Sequence, residues 1–135
     1  MTDLVFNDCV VLLGTDNGLL NSPNMFAELD YTYRLAKSQF NDARLPDPLA
    51  ILKMATCNIG KLLGPDIPGY LAKGLPADFV VLDFHAMHLK RSQHIAASIV
   101  SRVTPADVLA TFRQGQPLYA SPDFEATASS ITFLP

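Results

Sequence analysis

The chain is predicted to adopt a mixed α/β fold, on three observations. An aliphatic run near the start reads as a buried strand. Two helical stretches with their own start signals come after it. The second half carries short β segments divided by turn residues. The first third therefore reads as part of a parallel α/β layer, and the last half as a small antiparallel sheet. With 135 residues there is length for one core and not for two.

Residues 9–15 lack polar alternation, as expected of a strand covered on both faces. Ser22-Pro23 then reads as a cap followed by proline at the first helical position. Phe26, Leu29, Tyr33, Ala36 and Phe40 recur at helical spacing, which predicts a helix over about 24–39. A second helix is predicted from the Asp47 cap and Pro48. Leu52, Ala55, Ile59, Leu62 and Leu63 share one of its faces, and Gly64-Pro65 is its stop. After residue 65 the character changes. Pro68-Gly69 and Lys73-Gly74 are turn signals, residues 79–84 read as a strand, and "HAMHLKRSQH" as a polar connection. Residues 95–103 and 107–113 read as strand or mixed segments. Gln114-Gly115 reads as a tight hairpin turn into "QPLYA", and the tail from residue 121 is weakly patterned.

Composition excludes several classes of protein. Hydrophobic residues make up 49% and charged ones 17%, a globular balance, and the formal net charge is -3. No basic stripe interleaved with aromatics points to nucleic acid. No apolar run approaches the ~20 residues of a membrane span, and the start has no basic stretch of the kind that opens a signal peptide. Cys9 and Cys57 form no paired motif and read as small buried hydrophobes, which suits a cytoplasmic protein.

The run that ends in "GTDNG" is the sharpest local feature. Parallel strands end where ligands and chemistry gather, so Asp16 stands where a carboxylate is useful, and a tight turn alone would also explain the glycines. The stretches "GTDN", "NMFAEL", "LKMATCNIGKLLG", "KGLPADFVVLD" and "DVLATFRQGQPLY", in this order and spacing, resemble the C-terminal portion of the amidohydrolase superfamily, in its cytosine/guanine deaminase and chlorohydrolase-like branch. The resemblance runs over about residues 10–119.

That resemblance implies the fold in detail: the remnant of a (β/α)8 metallo-hydrolase barrel, its last strand and two helices, followed by half of a small antiparallel β-sandwich. Residues 1–65 would be the barrel segment, 66–120 the sandwich portion and 121–135 a tail. It implies that Asp16 is both a ligand of a divalent metal (zinc or iron) and the proton shuttle of a hydrolase acting on carbon–nitrogen, non-peptide bonds, such as the deamination of a heterocycle. The family's remaining ligands are histidines on earlier strands that this sequence lacks. A catalytic zinc takes about three protein ligands, so the chain alone is expected to be inactive and to bind no metal tightly. A non-catalytic binding or assembly module with the same fold is the alternative. A strand deprived of its neighbours is a template for pairing. The expected partner is accordingly a second copy, most simply a two-fold dimer joining residues 10–15, or a complementing chain that carries the rest of the barrel.

Other candidates read as structural. His85, His88 and His94 are the three histidines, and their place on a polar connection reads as surface rather than metal site. Glu28 and Asp30 read as a solvated helix face, Glu28 near the positive helix end. Asn17 and Asn21 read as turn residues, and "ATCNIG" as close packing through Ala55 and Gly60.

Overall fold

The computed structural model describes residues 9–40, 44–64 and 66–130, the side chains of 128–130 excepted. Its elements in chain order are α1 (Met25–Gln39), α2 (Pro48–Met54), α3 (Asn58–Leu63), β1 (Phe79–Leu82), α4 (Ile95–Ser101), a 3-10 turn (Pro105–Asp107), β2 (Val108–Arg113), β3 (Gln116–Ala120) and α5 (Pro122–Ser130). Three helices precede the first strand and the second half holds an antiparallel sheet, the latter as expected, with five departures in detail.

Residues 9–15 form no ladder with any described residue. They lie along the helices instead: the Leu13 N–H donates to the Met54 carbonyl at 2.9 Å, and the Val11 carbonyl accepts from Asn58 Nδ2 at 2.9 Å. Nor are they covered on both faces. Val11 and Leu13 pack on the helical core, while Val10 and Cys9 are exposed and Cys57 is half-buried. Aliphatic composition signals burial but cannot supply a neighbouring strand.

Helix α1 is capped by Asn24, whose side chain accepts from the N–H groups of Phe26 and Ala27, so the cap lies two residues past Ser22. Asp47 caps α2 as expected, accepting from Leu49 N–H at 2.9 Å, with Pro48 in the first turn. The predicted second helix is two helices. Between them Ala55, Thr56 and Ile59 bond carbonyls only three residues back, and the Thr56 hydroxyl donates to the Leu52 carbonyl. Gly64, at φ 94°, ends α3.

The segment at 95–103, read as strand or mixed, is helix α4. Its Ile and Val residues favour strands, but burial decides here: Val100 is 0% exposed and closes a cluster with Leu29, Ile51 and Met54. Burying each such side chain contributes ~1.5–3 kcal/mol. Ser98, also buried, is satisfied by a hydroxyl hydrogen bond with Ser92. The tail likewise forms a helix, α5, which sets Phe124 edge-on against Phe112 at 6.1 Å.

The sheet has the order β1-β2-β3, antiparallel throughout. Phe79 and Phe112 are cross-strand partners and stack at 4.6 Å. Gln114 (φ 51°) and Gly115 (φ 76°) make the two-residue turn that joins β2 to β3, both in the left-handed region that such hairpins require. Gln114 N–H donates to Asp78 Oδ1, and Gly115 N–H to the Ala77 carbonyl, so the turn is tied to the approach to β1.

Candidate functional site

Asp16 follows residues 9–15 and is exposed, just before the turn at 18–20. Two hydrogen bonds fix the segment to the break between α2 and α3, and the hydrophobic contacts of Val11 and Leu13 hold it flat against the helical core. The backbone at Asp16 is left-handed, φ 53°, a conformation that aspartate tolerates better than most residues. Asn17 organises the turn beyond it. Its Oδ1 accepts from Leu19 N–H at 3.1 Å and Leu20 N–H at 3.2 Å, and its Nδ2 donates to Asp16 Oδ2 at 3.3 Å. One Asp16 oxygen thus meets an amide, and the carboxylate otherwise faces solvent. Asn21 is exposed at the end of this turn. Leu19 and Leu20 are exposed too, leaving an apolar rim beside Asp16.

The histidines do not gather with Asp16. His85 is exposed near Asp83, Nδ1 to Oδ1 3.5 Å, and His94 precedes α4. His88 is half-exposed, and its Nε2 lies 3.2 Å from Oδ2 of Asp107, which is buried. Asp107 is the residue that sequence reasoning missed. Burial alone would raise its pKa, but the Thr104 N–H (2.8 Å) and hydroxyl (2.9 Å) and the His88 ring outweigh that and hold it below the usual aspartate value. Thr104-Pro105-Ala106-Asp107 has the spacing of a capping box, which was the available signal. Glu28 is half-buried on the first turn of α1, and Asp30 chelates Arg34 Nε with both oxygens at 2.8 Å, a helix-surface pair.

A divalent ion requires more donors than Asp16 provides. Among the described residues no three His, Cys, Asp or Glu side chains come together. Among the described residues Asp16 is a single carboxylate and not a whole metal site. Neither of two prominent clefts includes Asp16. One, about 230 Å³, lies at the start of residues 9–15, between Val10, Lys53, Asn58 and Lys61. The other, about 660 Å³ and mostly apolar, separates α1–α3 from the sheet, between Phe26, Leu52, Ile59, Val80, Leu82 and Phe112.

The sequence and the fold correspond to a known family. The amidohydrolase family model matches residues 2–118, and the chain belongs to that family. It is 33% identical over 106 residues to a protein of Syntrophus aciditrophicus named 5-methylthioadenosine/S-adenosylhomocysteine deaminase 1, covering 77% of this chain and 24% of that one. A Haloarcula marismortui protein named 5-methylthioadenosine/S-adenosylhomocysteine deaminase is 32% identical over 117 residues, 86% of this chain and 27% of the relative. The crystal structure of a Xanthomonas campestris adenosine deaminase with bound zinc superposes with a TM-score of 0.80 at 24% identity, over 94% of this chain and 30% of that one, and so shares the fold. The chain spans about a quarter of the length of the curated relatives it matches.

Proposed function

We infer that this chain is the C-terminal part of a metal-dependent amidohydrolase that deaminates a heterocycle, and that Asp16 is its metal-binding, proton-transferring carboxylate. The observation that carries this reading is the placement of Asp16: exposed, at the end of an aliphatic segment anchored to α2 and α3, with an oxygen open for a ligand. The relatives' names favour an aminopurine nucleoside as substrate. In this reading residues 9–15 are the last strand of a barrel whose other strands lie outside the chain, and the three-stranded sheet is part of a flanking sandwich.

In such a deamination water adds to the ring carbon bearing the amino group, the carbon–nitrogen bond breaks and ammonia leaves. A bound divalent ion, zinc or iron, supplies the Lewis acidity that makes water nucleophilic near neutral pH. Asp16 accepts the proton that water gives up and returns it to the departing nitrogen. An exposed carboxylate with a single amide neighbour is free to do both. The apolar rim of Leu19 and Leu20 borders the position where substrate would lie.

The presence of one ligand where about three are needed favours a second reading, a non-catalytic module with the family's C-terminal fold. One experiment separates the two. The chain alone is expected to carry no stoichiometric zinc after dialysis and to deaminate no aminopurine nucleoside. A chimera in which it replaces the matching quarter of the Syntrophus aciditrophicus relative is expected to bind zinc and turn over, and Asp16→Asn in that chimera to cost ~10²–10⁴ in rate. Near-normal turnover by the Asp16→Asn chimera would falsify the role given to Asp16. Zinc held by the chain alone and lost on changing His85 or His88 would move the site to the histidines.

A further inference from the structure

Asp16 and Asn17 are neighbours in sequence whose side chains meet. In a strand, successive side chains leave on opposite faces and such neighbours stay apart. The left-handed backbone of Asp16, φ 53°, breaks that alternation, and Asn17 Nδ2 lies 3.3 Å from Asp16 Oδ2. The other end of the same amide is already engaged. Its Oδ1 accepts from Leu19 N–H at 3.1 Å and from Leu20 N–H at 3.2 Å. These two bonds decide which way the planar amide faces. Reversed, its NH2 group would meet two N–H donors and its oxygen would meet the carboxylate, so Nδ2 is the atom turned to Asp16.

That contact makes the two oxygens of Asp16 inequivalent. A carboxylate on an exposed side chain rotates broadly about its last torsion, and Asp16 is exposed. Held at Oδ2, it presents Oδ1, to which no described residue donates. The amide loses little freedom on meeting Asp16, because Leu19 and Leu20 have already ordered it. We propose that Asn17 is the positioning residue of the site. The turn at 18–20 fixes its amide, and the amide fixes which oxygen of Asp16 is left to take a ligand or a proton. Asn17 acts through Asp16 and not on the substrate, so this role rests on the hydrolase reading of Asp16.

Two variants keep the turn and remove the donor. Asn17→Ser retains an oxygen that accepts from the turn amides. Asn17→Asp retains the acceptor in place and sets a second carboxylate oxygen where Nδ2 was. On the full chain, NMR side-chain couplings of Asp16 are expected to report one rotamer in the wild type and averaging in Asn17→Ser, with amide exchange at Leu19 and Leu20 little changed. In the chimera with the Syntrophus aciditrophicus relative, both variants are expected to lose ~10–10²-fold in kcat with KM changed less than about twofold, since misplacing the group slows the reaction without weakening ground-state binding. In an Asp16→Asn chimera, Asn17→Ser should lose nothing further, there being no carboxylate left to aim. Averaged couplings in the wild-type chain, wild-type turnover by both variants, or the same loss with Asp16→Asn in place overturns the proposal. So does a rate that falls only as the Leu19 and Leu20 amides lose protection, which would make Asn17 a turn residue and nothing more. In each of those cases Asp16→Asn alone is still inactive. An active Asp16→Asn chimera would instead remove the hydrolase reading, and the role of Asn17 with it.

Discussion

The side-chain amide of Asn58 donates to the backbone carbonyl of Val11 at 2.9 Å, across 47 residues of sequence, and ties the segment before Asp16 to the first turn of α3. Asn58→Ala removes the donor and leaves a half-buried carbonyl unpaired, a loss of ~1–2 kcal/mol. The segment would still hold its Leu13–Met54 bond and its apolar contacts, so local loosening is expected rather than unfolding. Hydrogen exchange at the Leu13 amide should speed up more than global unfolding accounts for. Unchanged protection at Leu13 would mean that packing alone positions Asp16.

The second prediction concerns pH. The pKa of Asp107 is held below the usual aspartate value in the folded chain, so its contribution to stability is complete above the unfolded pKa and is lost as pH falls through the folded one. Protonation ends the acceptance from Thr104 and the contact with His88. Urea midpoints should therefore fall between about pH 4 and lower values in the wild type. Asp107→Asn should start lower near neutrality, by ~1–3 kcal/mol, and lose less on acidification. Parallel curves for the two proteins would assign the acid sensitivity to other carboxylates.

Local grammar makes much of the fold legible. Asp47-Pro48 announces α2, and Gln114-Gly115 announces the hairpin because so few residues accept two successive left-handed positions. Where tertiary contacts decide, the sequence is silent or misleading. The β-branched residues of 95–103 read as strand, and only the pocket formed by Leu29, Ile51 and Met54 makes a helix the better way to bury Val100. Asp107 and His88 meet across 19 residues because β1 and the 3-10 turn lie side by side, joined by the Asp83 N–H to Asp107 carbonyl bond at 2.8 Å. The aliphatic run before Asp16 reads as a strand from residues 10–18 alone, but it forms no ladder with any described residue, because its pairing depends on neighbours that local sequence does not name. What Asp16 faces is not readable, since the described residues bring no group of three His, Cys, Asp or Glu side chains together.

The last prediction concerns the break between α2 and α3, where Gly69 sits with φ 66°. A Cβ at residue 69 would lie 2.5 Å from the Thr56 carbonyl oxygen and 2.9 Å from Cys57 Cα, both backbone atoms. The helix is interrupted where the chain at 67–69 crosses it, and Gly60 makes room on the same side, 2.9 Å from the Pro68 carbonyl oxygen by the same measure. Gly69→Ala should cost about 2–4 kcal/mol, combining left-handed strain with overpacking. Gly64→Ala is the control: its φ is 94°, and a Cβ there meets nothing within 4 Å, so only the strain of about 1–2 kcal/mol remains. Chemical denaturation of both variants separates the two contributions. Equal losses would show that the 67–69 crossing yields freely. A much larger loss at Gly69 would establish it as the clamp that holds α3, and with it Asn58 and the segment leading to Asp16, in place.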